Sequence, residues 1–293
     1  MSTPEPELVE ILDGNMALQA VDRAQIDIQI STARAYPRDI DKCKKDAMAL
    51  ATMDEATAET MFYVLPRGGK TIEGPSTRLA EVIANSWEHI RLETRVESID
   101  DRFLVAVATA MDLQKNVAVR TSVRRRITDK HGKRYNDDMI VVTANAASSI
   151  AARNALFKVI PFAFVKPIYD RARQVAIGEA KSFNKNRDTI IERLVKSGCQ
   201  LDNILGYFGY NGVDSITMND LLTLKGISTA IHEGTITVEE AFIAGDNKPA
   251  ANGETLGKHR PTAPREPEVG QAEVVTEPAQ AENGTGQKRG PGF

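Results

Sequence analysis

The chain has no run of 18 apolar residues, no closely spaced cysteines and no clustered histidines. Each absence removes a class of function. Without such a run there is no candidate membrane-spanning helix. The acidic opening MSTPEPELVEILDG lacks the basic-then-apolar order of an export signal, so a cytoplasmic location and no membrane partner are expected. Cys43 and Cys199 lie far apart with no CxxC, and His89, His131, His232 and His259 are scattered. That spacing supplies neither a disulfide framework nor a zinc site.

Catalytic signatures are missing too. Gly69-Lys70-Thr71 looks like the end of a phosphate loop, but the earlier glycine of that loop would fall at Val64, so there is no cradle for a nucleotide. Glu179, Lys181 and, upstream, Asp170 imitate a nuclease carboxylate set, yet they stand in a stretch that reads as helical. No Ser/His/Asp or Cys/His set stands out. The expectation is a protein with no cofactor and no enzymatic activity.

What is present is 293 residues, 42% of them hydrophobic and 26% charged, enough for one or two real cores. The net charge of -3 conceals a strong asymmetry. Residues 1–100 carry 11 basic against 18 acidic side chains, whereas residues 115–181 carry 14 basic against 5 acidic. From Lys115 to Arg134 only Asp129 interrupts eight bases. Local potential recruits polyanions, so this basic island matters more than the net charge.

The periodicities predict an α+β fold. Helices are expected over about 16–35 and 38–52, parted by Tyr36-Pro37, since proline disfavours helix in the residue before it. YVLPRGGKTIE reads as a hairpin with Gly68-Gly69 at its tip, followed by the helix TRLAEVIANSW, with Leu79, Val82, Ile83 and Trp87 on one face. Three alternating runs, about 91–99, 102–112 and 117–128, are separated by turns short enough for hairpins, which predicts an antiparallel three-stranded β-meander packed by helices. A helix of small residues follows, DDMIVVTANAASSIAARNALFKVI, stopped by Pro161; Ala144, Ala147, Ala151 and Ala155 would let it lie close on the sheet. Residues 182–245 read as a small helical module joined near Lys181, with Asp188, Thr217 and Thr237 opening its helices. Residues 246–293, rich in Pro, Gly, Ala and Glu, read as a disordered tail, leaving 1–181 as the α+β core.

Within VAVRTSVRRRIT, alternation places Val117, Val119, Thr121, Val123 and Ile127 on one face and Arg120, Ser122, Arg124 and Arg126 on the other. Alternate side chains on a strand stand about 7 Å apart, comparable to phosphates along an extended single strand. An ordinary solvated face mixes signs, and this one does not. In the small-residue helix Asn145, Ser149 and Arg153 recur every four residues, a stripe of amide, hydroxyl and guanidinium suited to phosphate and sugar oxygens, or simply to water. Beyond it, Phe162, Phe164 and Tyr169 interleave with Lys158, Lys166, Arg171 and Arg173, a pattern that serves either base stacking or a core behind two prolines.

Taken in order, GPSTRLAE (Gly74 to Glu81), RTSVRRRITDKHGKRYNDD (Arg120 to Asp138), TANAASSIAARNALFKVIP (Thr143 to Pro161) and DLLTLKGISTAIHEGTITVEEAF (Asp220 to Phe242) resemble phage single-strand annealing recombinases of the RecT/Bet superfamily, over about residues 15–245. The resemblance implies a homo-oligomeric ring or filament that coats single-stranded DNA without ATP and pairs complementary strands into duplex. It implies a β-meander backed by helices, with DNA in a basic groove beside the sheet and the long helix. That description lands on Arg120, Arg124, Arg126, Arg153 and Lys158, and more loosely on Arg78, Lys166, Arg171 and Arg173. It further implies a C-terminal helical region, here 182–245, that recruits a host single-strand-binding protein or a phage exonuclease. The resemblance does not cover the tail. Two other readings stay open: a metal-dependent nuclease using Asp170, Glu179 and Lys181, and a phage adaptor that binds no DNA.

Overall fold

A computed structural model describes residues 6–67, 70–129, 131–178 and 182–242. The chain opens with α1, Pro6–Ala35, and α2, Ile40–Ala51. The break between them falls at Tyr36-Pro37, and Asp39 starts the second helix by accepting from the backbone N–H groups of Asp41 and Lys42. A short α3, Glu55–Glu59, follows, capped by Asp54. Then come β1, Phe62–Arg67, and β2, Lys70–Pro75, an antiparallel hairpin in which Tyr63 lies opposite Gly74. The predicted tip, Gly68-Gly69, lies outside the described residues. α4, Thr77–Trp87, begins at Ser76, whose hydroxyl accepts from the Leu79 N–H. It buries Leu79, Ile83 and Trp87, while Val82 is only partly covered.

The expected meander is present. β3, Ile90–Ile99, β4, Phe103–Asp112, and β5, Val117–Arg126, form an antiparallel sheet in that spatial order, with a bulge between Val96 and Ser98. α5, Asp137–Val159, starts at Asn136, which accepts from the Met139 N–H, and ends where Ile160 turns extended before Pro161. It lies across one face of the sheet. Ala147, Ala151 and Ala155 are fully buried, as are Ala106, Ala108 and Ala110 of β4, so small side chains on both partners bring helix and strand close together. Ala144, expected in the same row, is only partly buried.

α6, Phe162–Ile177, packs its Phe164, Ile168 and Ala172 against Cys43 and Ala47 of α2 and Leu79, Ile83 and Trp87 of α4. Arg38, at the start of this layer, donates to Asp112 at the end of β4, and the Trp87 indole N–H donates to the same carboxylate at 3.1 Å. This buried node locks the helical layer to the sheet.

The remaining helices are α7, Phe183–Lys196, α8, Leu201–Phe208, α9, Met218–His232, and α10, Val238–Phe242. Thr217 and Asp220 form the capping box that opens α9. Among the described residues these helices pack on the hairpin and on α3. α9 lies against β1 so closely that a Cβ on Gly226 would come within 2.3 Å of a Val64 methyl. Beside it Lys225, buried, pairs with Glu55 at 2.8 Å and Glu59 at 3.4 Å and donates to the Ala176 carbonyl. Arg193 of α7 pairs with Glu59 at 2.6 Å. Leu222 and Ile227 of α9 share one core with Phe62 and Val64 of the hairpin. The expected joint at Lys181 and the tail from 246 onward lie outside the described residues. Among the described residues no helix is long and apolar enough to cross a membrane.

Candidate nucleic-acid interface

The basic residues singled out from the sequence fall on two separate surfaces. On β5 the alternation is as expected. Thr121 is buried and donates its hydroxyl to the Ala151 carbonyl of α5 at 2.8 Å, which fixes the odd positions toward the helix. Arg120, Ser122, Arg124 and Arg126 are exposed and point the other way. The register sets Arg126 opposite Phe103, Arg124 opposite Val105 and Arg120 opposite Thr109, so these side chains share the outer face of the sheet. Arg120 is ion-paired to Glu97. The Arg124 guanidinium stands 3.8 Å above the Phe103 ring.

Arg153 is elsewhere. It projects from α5 toward the β1–β2 hairpin, where its guanidinium sits 4.7 Å from the centre of the Tyr63 ring. The residue is only 8% exposed. Its Nη1 is buried without a hydrogen-bond partner among the described residues, and the hydrogen bonds of its other nitrogens are long, 3.4 Å to the Asn154 amide oxygen. No carboxylate among the described residues pairs with it. Arg173 of α6 lies 5.8 Å from the Tyr169 ring and 5.9 Å from the Phe62 ring, pairs with Glu73 of β2 at 2.9 Å, and leaves its buried Nε unpartnered. Burial is the main cause that pushes the Tyr169 hydroxyl far above the ordinary phenol range, and Glu73 and Tyr63 add to it. Gly74 permits this arrangement: a Cβ there would lie 2.9 Å from the Tyr63 hydroxyl.

A single trough between meander and helix, the geometry expected for Arg120, Arg124, Arg126 and Arg153 together, is therefore not what forms. The pleat sends the three strand arginines to one side of the sheet, and α5 occupies the other. The helix stripe also splits: Asn145 and Ser149 are exposed, whereas Arg153 is buried under the hairpin. Lys158 is exposed in the last turn of α5. Lys166 pairs with Asp170, Arg78 pairs with Glu81, and Arg171 donates to Gln174, all local contacts on exposed helix surface. Of the interleaved aromatics, Phe164 belongs to the core against Trp87, Phe162 is half exposed, and Tyr169 joins the Arg173 cluster.

Three residues of these surfaces were not picked out by sequence pattern. Arg125 sits between two outward arginines but faces inward, donating to the carbonyls of Gly234 and Thr235 just past the end of α9. Burial lowers its pKa, and the helix C-terminus is a favourable place for its charge. The alternation alone contains that signal, since an arginine at an odd position of this strand has to find carbonyl partners. Tyr63 and Glu73 carry no local signal; the fold brings them to Arg153 and Arg173. Of the nuclease set, Glu179 and Lys181 lie outside the described residues, and Asp170 is engaged by Lys166. Among the described residues no group of three or more His, Cys, Asp and Glu is placed to hold a metal ion. Compared with family models, with curated proteins and with solved structures, the chain matches none.

Proposed function

We propose that this protein binds single-stranded DNA and anneals complementary strands without nucleotide hydrolysis, acting as a homo-oligomer in phage-type recombination in the cytoplasm. The observation that carries the reading is Arg153, a buried guanidinium lying on a tyrosine ring with an unpartnered N–H and, among the described residues, no carboxylate paired with it. A buried charge without a counter-ion is costly, by several kcal/mol, and an arriving phosphate removes that cost. Arg173 likewise leaves a buried Nε unpartnered, and Tyr63 beside Arg153 and Tyr169 beside Arg173 supply ring surface. Stacking on such a ring contributes about 1–3 kcal/mol per base and tolerates any sequence.

Annealing follows from the same physics. Guanidiniums that neutralise one backbone lower the repulsion between two strands, and contacts restricted to phosphate and sugar leave base edges free to test a complement. Duplex stacking at about 1.4 kcal/mol per step then supplies the driving force. One protomer covers only a few nucleotides, so stable strand coating calls for side-by-side assembly. The helices between 182 and 242 are the surface proposed to recruit a single-strand-binding protein or an exonuclease, and α9 among them packs on the hairpin that carries Tyr63.

The test is an annealing assay with complementary labelled oligonucleotides in the absence of ATP. Faster duplex formation than with DNA alone is expected, and Arg153→Gln should abolish the acceleration while circular dichroism shows the fold retained. No acceleration by the intact protein, or magnesium-dependent cleavage of the strands, would overturn the reading.

A further inference from the structure

Arg173 differs from Arg153 in one respect: a carboxylate already occupies its terminal nitrogens. Glu73 of β2 reaches α6, where Arg173 Nη1 donates to one carboxylate oxygen at 3.2 Å and Nη2 lies 2.9 Å from the other. A phosphate meets a guanidinium through the same two-pronged contact, so the carboxylate stands where two phosphate oxygens would. The pair is not sealed in. Of the Glu73 side chain 33% is exposed, and of the Arg173 side chain 21%, so rotation of Glu73 about its own side-chain bonds returns the carboxylate to water.

Arg173 does not depend on that carboxylate for its place. The buried Phe62 ring and the Tyr169 ring lie 5.9 and 5.8 Å from the guanidinium, within the range of a cation–ring attraction. Nor does Glu73 use up the donors, since Nε stays buried with no hydrogen-bond partner among the described residues.

Such a contact sorts anions by how they arrive. A tethered carboxylate competes at an effective concentration of about millimolar or more, and a free phosphate ion has to displace it from solution. A phosphate in a strand already held at Arg153 is tethered too. Its competition with Glu73 is then between two local groups, and a partly exposed ion pair is a weak opponent.

We propose that Glu73 is a specificity-determining residue, a built-in carboxylate that withholds Arg173 from free anions and yields it to a phosphate of a strand held elsewhere on the protein. This rests on the reading that the protein binds single-stranded DNA, and it supplies the ground on which the site prefers a chain of phosphates to a single anion.

Glu73→Gln in the full-length chain tests it, read with a short labelled oligonucleotide and with inorganic phosphate as competitor. Glutamine keeps an acceptor for Arg173 and removes the charge. Strand binding should tighten by about two- to fivefold, the range open to a partly exposed pair. The salt slope should steepen by about 0.7, because Arg173 then has a solution counter-ion to release. Inorganic phosphate should compete at a lower concentration than against wild type. Adding Arg173→Gln to the same chain should cancel all three changes. Glu73→Asp, with a shorter carboxylate, should move each readout the same way by less, so the outcome does not hang on one folded variant. Strand binding by Glu73→Gln that is unchanged or weaker, or gains that persist without Arg173, would overturn the role of Glu73. A wild-type chain that binds strands without annealing them overturns the proposed function and leaves this role standing, whereas a chain that binds no strand ends both.

Discussion

The two arginine sets of this protein differ in what holds them. On the outer face of the meander, Arg120 has Glu97, Arg95 approaches the same carboxylate at 3.8 Å, and Arg124 covers Phe103, all in reach of water. At the α5–hairpin junction, Arg153 is withdrawn from water with an N–H unmet. Exposed ion pairs contribute about 0–1 kcal/mol and exchange readily, whereas an uncompensated buried charge raises the energy of its surroundings until an anion arrives. A dense cluster of charges in the sequence is therefore a weaker sign of a ligand site than one guanidinium placed where it has no counterpart.

That contrast is open to direct attack. The largest effect is expected at Lys225, which ties α9 to α3 and to the end of α6. Lys225→Ala leaves Glu55 and Glu59 without their buried partner and should cost about 3–5 kcal/mol in denaturant unfolding. It should remove junction binding along with stability; an unchanged unfolding midpoint would mean the junction does not depend on this clamp. Next, Arg153→Gln with Arg173→Gln should weaken short single-strand binding by about 10-fold or more per residue, as expected for loss of a charge-assisted hydrogen bond of about 1.5–3 kcal/mol, with no preference for base composition. Binding within twofold of wild type would remove the junction from the DNA site. The smallest change belongs to the other surface. Arg120→Ala, Arg124→Ala and Arg126→Ala together should shift the salt slope of short-strand binding by less than about one unit, where three phosphate contacts would shift it by nearly three. A drop near three would erase the distinction between the faces.

Much of the fold was legible because its signals are local. Ten-residue alternation with two short turns predicts β3, β4 and β5 close to their observed limits. Thr217 followed by Asp220 announces α9, and Tyr36-Pro37 separates α1 from α2. The facing of Arg120, Arg124 and Arg126 was legible for the same reason. Less was visible where elements meet. Residues 182–245 read as a small helical module, but an apolar stripe does not name the surface that covers it, and Leu222 and Ile227 of α9 pack with the hairpin while Leu221 packs with α7 and α8. For the candidate site the sequence picked out Arg153 and Arg173 but not the ring, the carboxylate or the burial that give them their character.

The amino-acid order by itself determined the elements, the α+β class and which strand positions are basic, since caps, prolines and two-residue alternation act through neighbours a few positions apart. Only the tertiary structure decided that α5 covers the odd face of β5, that α9 lies on β1, and that Arg153 sits on Tyr63. Those outcomes depend on which distant apolar faces find each other, and a stripe of alanine or leucine carries no address. The same chain order that lines up arginines along one strand thus leaves to packing the question of which arginine ends up without a partner.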